Sequence, residues 1–297
     1  MIDPPLPPPP PVPSLPSRFR QFPAALASRA RSERIAGEVP ALFAHPDWKS
    51  PAPVVLWLHG RTVSKELDPG RYLRWLRAGI AACAIDLPGH GERLDPPSHP
   101  PPNPPLHPLH RPGSAPLLIE RALPEIDVVL GCLAESRWAG VFDTSRLAIG
   151  GMSAGGMIAL RRLCDPHPFV CAAVEAATGC LTRMYASRAG WGEPSPGILE
   201  RVDPSRHLAA WRPIPLLALH SEADRVVPVE TMREFVGELR ARYAAAAADP
   251  DQIEVVTWPT TGAPEEHSGF GRHSNDAKNA QTEFFKRHLR PTPPDSL

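Results

Sequence analysis

The sequence predicts an α/β domain: one mostly parallel sheet with helices on both of its faces. Three observations carry that expectation. Short, wholly apolar runs at 54–58 (VVLWL) and 80–85 (IAACAI) have the length and composition of strands buried on both sides. Stretches with helical spacing alternate with such runs, the pattern of parallel strands joined by crossover helices. A third short strand, 146–149, runs directly into a glycine-rich turn and a helix.

Taken in order, the chain opens with nine prolines in its first sixteen residues. Proline lacks a backbone N–H, so residues 1–17 are expected to form an extended tail of polyproline II character, with a PxxP ligand as the functional alternative. Residues 18–297 then form a single domain. Residues 35–39 and 42–44 read as an opening pair of strands, 54–58 as a buried strand, 71–78 as a helix and 80–85 as another buried strand. A second proline cluster follows at 95–113, with nine prolines and with His99, His107 and His110. It reads as a long surface excursion, because its histidines lack regular spacing and carboxylate or thiolate companions for a metal. Residues 117–134 carry helical periodicity, with Pro124 marking a helix start or a kink. Next come the strand at 146–149, a helix at 157–164, strands at 170–174 and 216–220, a long helix at 230–248, the last strand at 253–258 (IEVVTW) and the closing helix at 276–289. The segment 178–211 interrupts the alternation and is the candidate for a small cap.

The composition narrows the function. Lys+Arg and Asp+Glu number 32 each, so no strong net field draws the chain to nucleic acid or to an anionic membrane. No apolar run approaches the roughly 18 residues of a membrane span, and the N-terminus lacks a secretory h-region, so a cytoplasmic protein is expected. The five cysteines lack zinc spacing and read as buried thiols in a reducing compartment, with a Cys171–Cys180 disulfide left open. No metal or cofactor is expected.

The strongest local signal is Gly151-Met152-Ser153-Ala154-Gly155 between a strand and a helix. A turn that tight leaves no room for side chains beside the serine, and it lifts the hydroxyl above the sheet at a helix N-terminus. The bland alternative is a serine that only caps the helix. A hydroxyl is a poor nucleophile without a base, so a histidine and an orienting acid are required. Asp224, four residues past the strand at 216–220, is the expected acid, with Glu222 as its competitor. His267, in the glycine-rich EHSGFG stretch after the last strand, is the expected base. His273, closer to the closing helix, is the alternative base. A glycine after the strand at 54–58 (His59-Gly60-Arg61) lets the chain turn back, so the backbone N–H groups of Arg61 and Ala154 are the expected oxyanion donors. Arg61, Arg93 and Arg183 read as solvated charges, favouring an acidic substrate only if they line the pocket.

With LHG at 58–60, DLPGHGER at 86–93, GMSAGG at 151–156 and EADRVVP at 222–228, the sequence resembles the α/β-hydrolase superfamily from about residue 35 to 289. Within it, HGRTVSKE followed by DLPGHG looks most like the bacterial carboxylesterases, with kinship to dienelactone-hydrolase and prolyl-oligopeptidase-like hydrolases. The resemblance implies the α/β-hydrolase fold and hydrolysis of small esters through an acyl-enzyme, with the chain order Ser, Asp, His. It makes His90 structural. A peptidase, or an inactive hydrolase fold that binds partners, are the alternatives. Departures are the proline-rich tail, the Pro/His loop and the arginine after His-Gly.

Overall fold

The computed structural model describes residues 22–94, 107–188, 194–195 and 197–292. The tail expected over 1–17 and most of the proline-rich excursion lie outside the described residues. A short helix α1 (Ala24–Ala27) leads into β1 (Ala30–Ile35) and β2 (Val39–Ala44). Then follow β3 (Ala52–Leu58), α2 (Pro69–Arg77), β4 (Ala81–Ile85), α3 (Ala115–Leu133), β5 (Phe142–Met152) and α4 (Ala154–Arg162). The chain continues through β6 (Cys171–Glu175), α5 (Leu181–Ala186), α6 (Ile198–Val202), β7 (Leu216–Ser221), α7 (Val229–Ala245), β8 (Ile253–Trp258) and α8 (Ser274–Leu289).

The strands form one sheet in the order β1-β2-β4-β3-β5-β6-β7-β8. Only β1–β2 and β2–β4 pair antiparallel; β4 onward is parallel throughout. This is the α/β-hydrolase arrangement. The period of two along each strand sorts the core into two layers. On one face Val54, Leu56 and Leu58 of β3 pack with α3, α4 and α7. On the other, Val55 and Trp57 pack with Tyr72 and Trp75 of α2 and with Phe284 and Phe285 of α8.

Three expectations need correction. Residues 35–39 are not one strand: β1 ends at Ile35, Ala36 (φ 49°) and Gly37 (φ 77°) turn the chain, and Ile35 pairs across to Val39. Both flanking residues are buried, so the apolar pattern runs unbroken across a turn. Pro124 starts nothing; it lies inside α3, which begins at Ala115. Finally, the described end of the proline-rich stretch does not stand out from the surface. Leu109 is buried, and a ring nitrogen of His110 (Nε2) donates to the Gly89 carbonyl at 2.9 Å.

Within 178–211, Asp203 ties the short elements together. Its buried carboxylate accepts from the N–H groups of Leu181 and Thr182 at 3.1 and 2.7 Å and from the hydroxyls of Thr182 and Ser205. All five cysteines are buried and unpaired, Cys171 and Cys180 included. Among the described residues no helix is long and apolar enough to cross a membrane.

Candidate active site

Ser153 occupies the single residue between β5 and α4, with φ 52° and ψ −120°. Such a backbone is costly for a residue with a side chain and persists only where its surroundings hold it. Here they do. The Ser153 N–H donates to the Glu175 carbonyl at 2.8 Å, and the Ser153 carbonyl accepts from Met157 N–H at 2.9 Å. A Cβ on Gly151 would lie 2.4 Å from the Gly155 backbone, and one on Gly155 would lie 2.1 Å from the Leu58 carbonyl oxygen. Glycine at both places is therefore a packing requirement of β5 and α4 against the end of β3.

Asp224 lies in the loop between β7 and α7. Its Oδ1 accepts from the N–H groups of Val226 and Val227, each at 2.8 Å, and its Oδ2 accepts from Nδ1 of His267 at 2.8 Å. Burial alone would raise this carboxyl, but hydrogen bonds from His220 and His267 more than offset burial and hold it below the usual range. Since Asp224 accepts the hydrogen bond from Nδ1–H and so keeps the proton on that nitrogen, Nε2 of His267 presents its lone pair to Ser153 Oγ, 2.8 Å away. The three side chains form one row, all nearly buried, with Ser153 itself only 8% exposed.

The loop that delivers His267 is held by its neighbour. Glu266 accepts from Thr261 N–H and Oγ1, from Gly262 N–H and from Ser221 Oγ, and the Thr261 bonds foremost pull its carboxyl down to about 2. The structure does not bring the two competitors into the row. His273 pairs with Asp276 at 3.0 Å and stacks on Trp258. Glu222 accepts from Arg233 and Thr257 on the surface.

Beside the serine, the loop after β3 is fixed by His59. This buried ring accepts Leu87 N–H at Nε2, so its proton is on Nδ1, which donates to the Gly60 carbonyl at 2.6 Å. The Gly60–Arg61 peptide is trans, which turns the Arg61 N–H away from His59. Arg61 and Ala154 both line a narrow recess at Ser153, walled by Ala115, Met157, Met184 and Val226. The recess adjoins a larger cavity of about 570 Å³ on which Ser153, His267, Trp57, Arg71, His110 and Lys278 open.

Arg71 was not expected at the site, and His110 was expected only in a surface excursion. Arg71 is buried; its two terminal guanidinium nitrogens donate to Glu175, at 2.6 and 2.9 Å, and it lies over the Trp57 ring. A signal was present, because Arg71 shares the helical face of Tyr72, Trp75 and Leu76. No local signal brings His110 to the cavity, since its seat on Gly89 is a tertiary contact. His90 is buried, with its ring 4.4 Å from that of His110. Arg93 and Arg183 pair with Glu125 and Glu234, whereas Arg61 lines the cavity.

Among the described residues one acidic cluster has metal-like spacing: oxygens of Glu66, Asp86 and Glu92 lie within 4.8 Å of one another. Its centre is taken by the Lys65 ammonium, 2.7 Å from each carboxylate. Burial alone would lower this lysine, but the Asp86 and Glu66 carboxylates more than offset it and raise it.

The family model that matches this chain, over residues 127–292, is the prolyl oligopeptidase family. Esterase YjfP from Escherichia coli K12 is 25% identical over 266 residues, covering 85% of this chain and 96% of that protein. Among solved structures, TT1662 from Thermus thermophilus superposes with a TM-score of 0.63 at 23% identity, covering 89% of this chain and 100% of its own. A puromycin-hydrolyzing peptidase from Mycobacterium tuberculosis superposes with a TM-score of 0.65 at 18% identity, covering 92% of this chain but 41% of its own.

Proposed function

The chain belongs to the prolyl oligopeptidase family and is an enzyme of the serine hydrolase type, and on that premise we propose that it is a carboxylesterase acting on small esters through an acyl-enzyme on Ser153. One observation carries this reading. The row from Asp224 Oδ2 through both nitrogens of His267 to Ser153 Oγ has 2.8 Å at each step.

In this reading, His267 Nε2 takes the hydroxyl proton as Ser153 Oγ forms a bond to the ester carbonyl carbon. Asp224 keeps the imidazole in the required tautomer and balances its positive charge. The carbonyl oxygen, now an anion, is held by the N–H groups of Arg61 and Ala154, each contributing roughly 2.7–4 kcal/mol to the transition state. The C–O bond to the alcohol breaks as His267 returns the proton to the leaving oxygen. Water then attacks the acyl-enzyme by the same route in reverse, freeing the acid and Ser153. The described residues of 178–211 act as a small cap, through Met184 on the wall of the serine recess. Their modest length favours a small acyl group. The five unpaired thiols fit a reducing, cytoplasmic setting.

A peptidase reading draws on the family and on the puromycin-hydrolyzing neighbour. The esterase reading is preferred because the chain covers 96% of Esterase YjfP and 41% of that peptidase. The test is hydrolysis of p-nitrophenyl butyrate. Ser153→Ala and His267→Ala are expected to lower kcat by roughly ten-thousandfold or more, and His273→Ala by less than about threefold. Wild-type turnover by Ser153→Ala would remove the assignment.

A further inference from the structure

We infer that the Arg61 side chain recognises a carboxylate on the substrate, so that the preferred ester is a half-ester of a short dicarboxylic acid; this deepens the esterase reading above and rests on it. The cations on the cavity wall are not alike. Arg71 is neutralised by Glu175 and Asp68, and Lys278 by Asp68 at 3.0 Å. Arg61 donates instead to the backbone carbonyls of Arg111 and His110, which orient the guanidinium without cancelling its charge. Among the described residues no carboxylate lies within ion-pair distance of it. Burial pulls Arg61 below the usual guanidinium range, with only the Tyr185 hydroxyl acting the other way.

A half-buried cation held in place by neutral dipoles lacks a counter-ion, and a carboxylate can supply one through a planar, two-pronged match. Position makes this a matter of substrate choice. Arg61 borders both the 570 Å³ cavity and the narrow recess at Ser153, so an anion bound there sits a short chain away from the carbonyl under attack. The larger cavity is lined beside Arg61 by the side chains of Val63, Leu67, Met152 and Val226, which suit methylenes. An acyl group with an apolar middle and an anionic end matches both surfaces.

The test compares kcat/KM for monoethyl glutarate and ethyl pentanoate by pH-stat on the full chain. The two acyl groups have the same length and differ by a terminal carboxylate against a methyl. The wild type is expected to prefer monoethyl glutarate by roughly tenfold or more. Arg61→Gln, which keeps the backbone N–H, should bring the ratio close to one; Arg61→Lys should keep part of it, and Arg61→Glu should turn it towards the neutral ester. The ratio is read whatever the absolute rate, and the wild-type value decides alone if a variant folds poorly. A wild-type ratio of one or less, or a ratio that Arg61→Gln leaves unchanged, overturns the inference. So does refusal of both ethyl esters by a chain that still hydrolyses p-nitrophenyl butyrate, and in that case the esterase reading stands. If Ser153 also resists a fluorophosphonate, the esterase reading itself falls.

Discussion

Two aspartates stand just past the carboxyl ends of strands in this sheet, and they are used in opposite ways. Asp86, after β4, accepts from the backbone N–H groups of Lys65 and Glu92, then spends its remaining bond on the Lys65 ammonium. Asp224, after β7, accepts from the N–H groups of Val226 and Val227, then receives the imidazole of His267. An ammonium is where such a chain stops, because Lys65 has only donors and its other contacts are two more carboxylates. An imidazole has a second nitrogen and passes the polarity on, to a hydroxyl that opens on a cavity. Burial and hydrogen bonding are alike at the two places. What separates structure from chemistry is whether the last group in the row faces empty space.

The contrast can be broken from either side. Asp224→Asn keeps the shape but exchanges the acceptor for a donor, so the imidazole loses its tautomer; kcat for p-nitrophenyl butyrate should fall by roughly ten-thousandfold, with the unfolding midpoint little changed. Lys65→Met should do the reverse. It leaves the buried carboxylates of Asp86 and Glu66 beside the partly exposed Glu92 with no cation between them, so chemical denaturation should show a loss of about 3–5 kcal/mol, while kcat falls by less than about tenfold. A rate collapse in Lys65→Met with intact stability would contradict the distinction.

A smaller effect concerns pH. Burial pushes His59 down to about 4 from the ordinary 6.5. Between those values the unfolded chain holds a proton that the folded one does not, so stability rises with pH across that window. It is fully present above about 6.5 and falls by about 3 kcal/mol as the pH drops towards 4. His90, pushed to about 4 by burial, acts in the same direction. Equilibrium unfolding followed across that range should show the slope, and His59→Asn should flatten part of it.

The inner strands were legible because those of a parallel sheet are buried on both faces and read as apolar runs, as VVLWL and IAACAI do. The edge was harder to read. β1 reads ARSERI, polar and partly exposed, so Ile35 was drawn into a strand with Val39 across a turn. Ser153 and Asp224 could be nominated from strand ends and from glycines that leave no room for a side chain. Whether position 267 or 273 meets the hydroxyl depends on the path of a loop held by Glu266, a tertiary fact that spacing only suggests. Arg61, too, read as a solvated charge, because nothing in the sequence tells that the carbonyls of His110 and Arg111 return from 49 and 50 residues away to hold it at the cavity.

The most direct test is covalent labelling of the full chain with a fluorophosphonate, followed by peptide mapping. The account predicts a single adduct, on Ser153, that His267→Ala and Asp224→Asn slow severely and His273→Ala and Lys65→Met leave essentially intact. An adduct on another residue, or none on a folded chain, would contradict it.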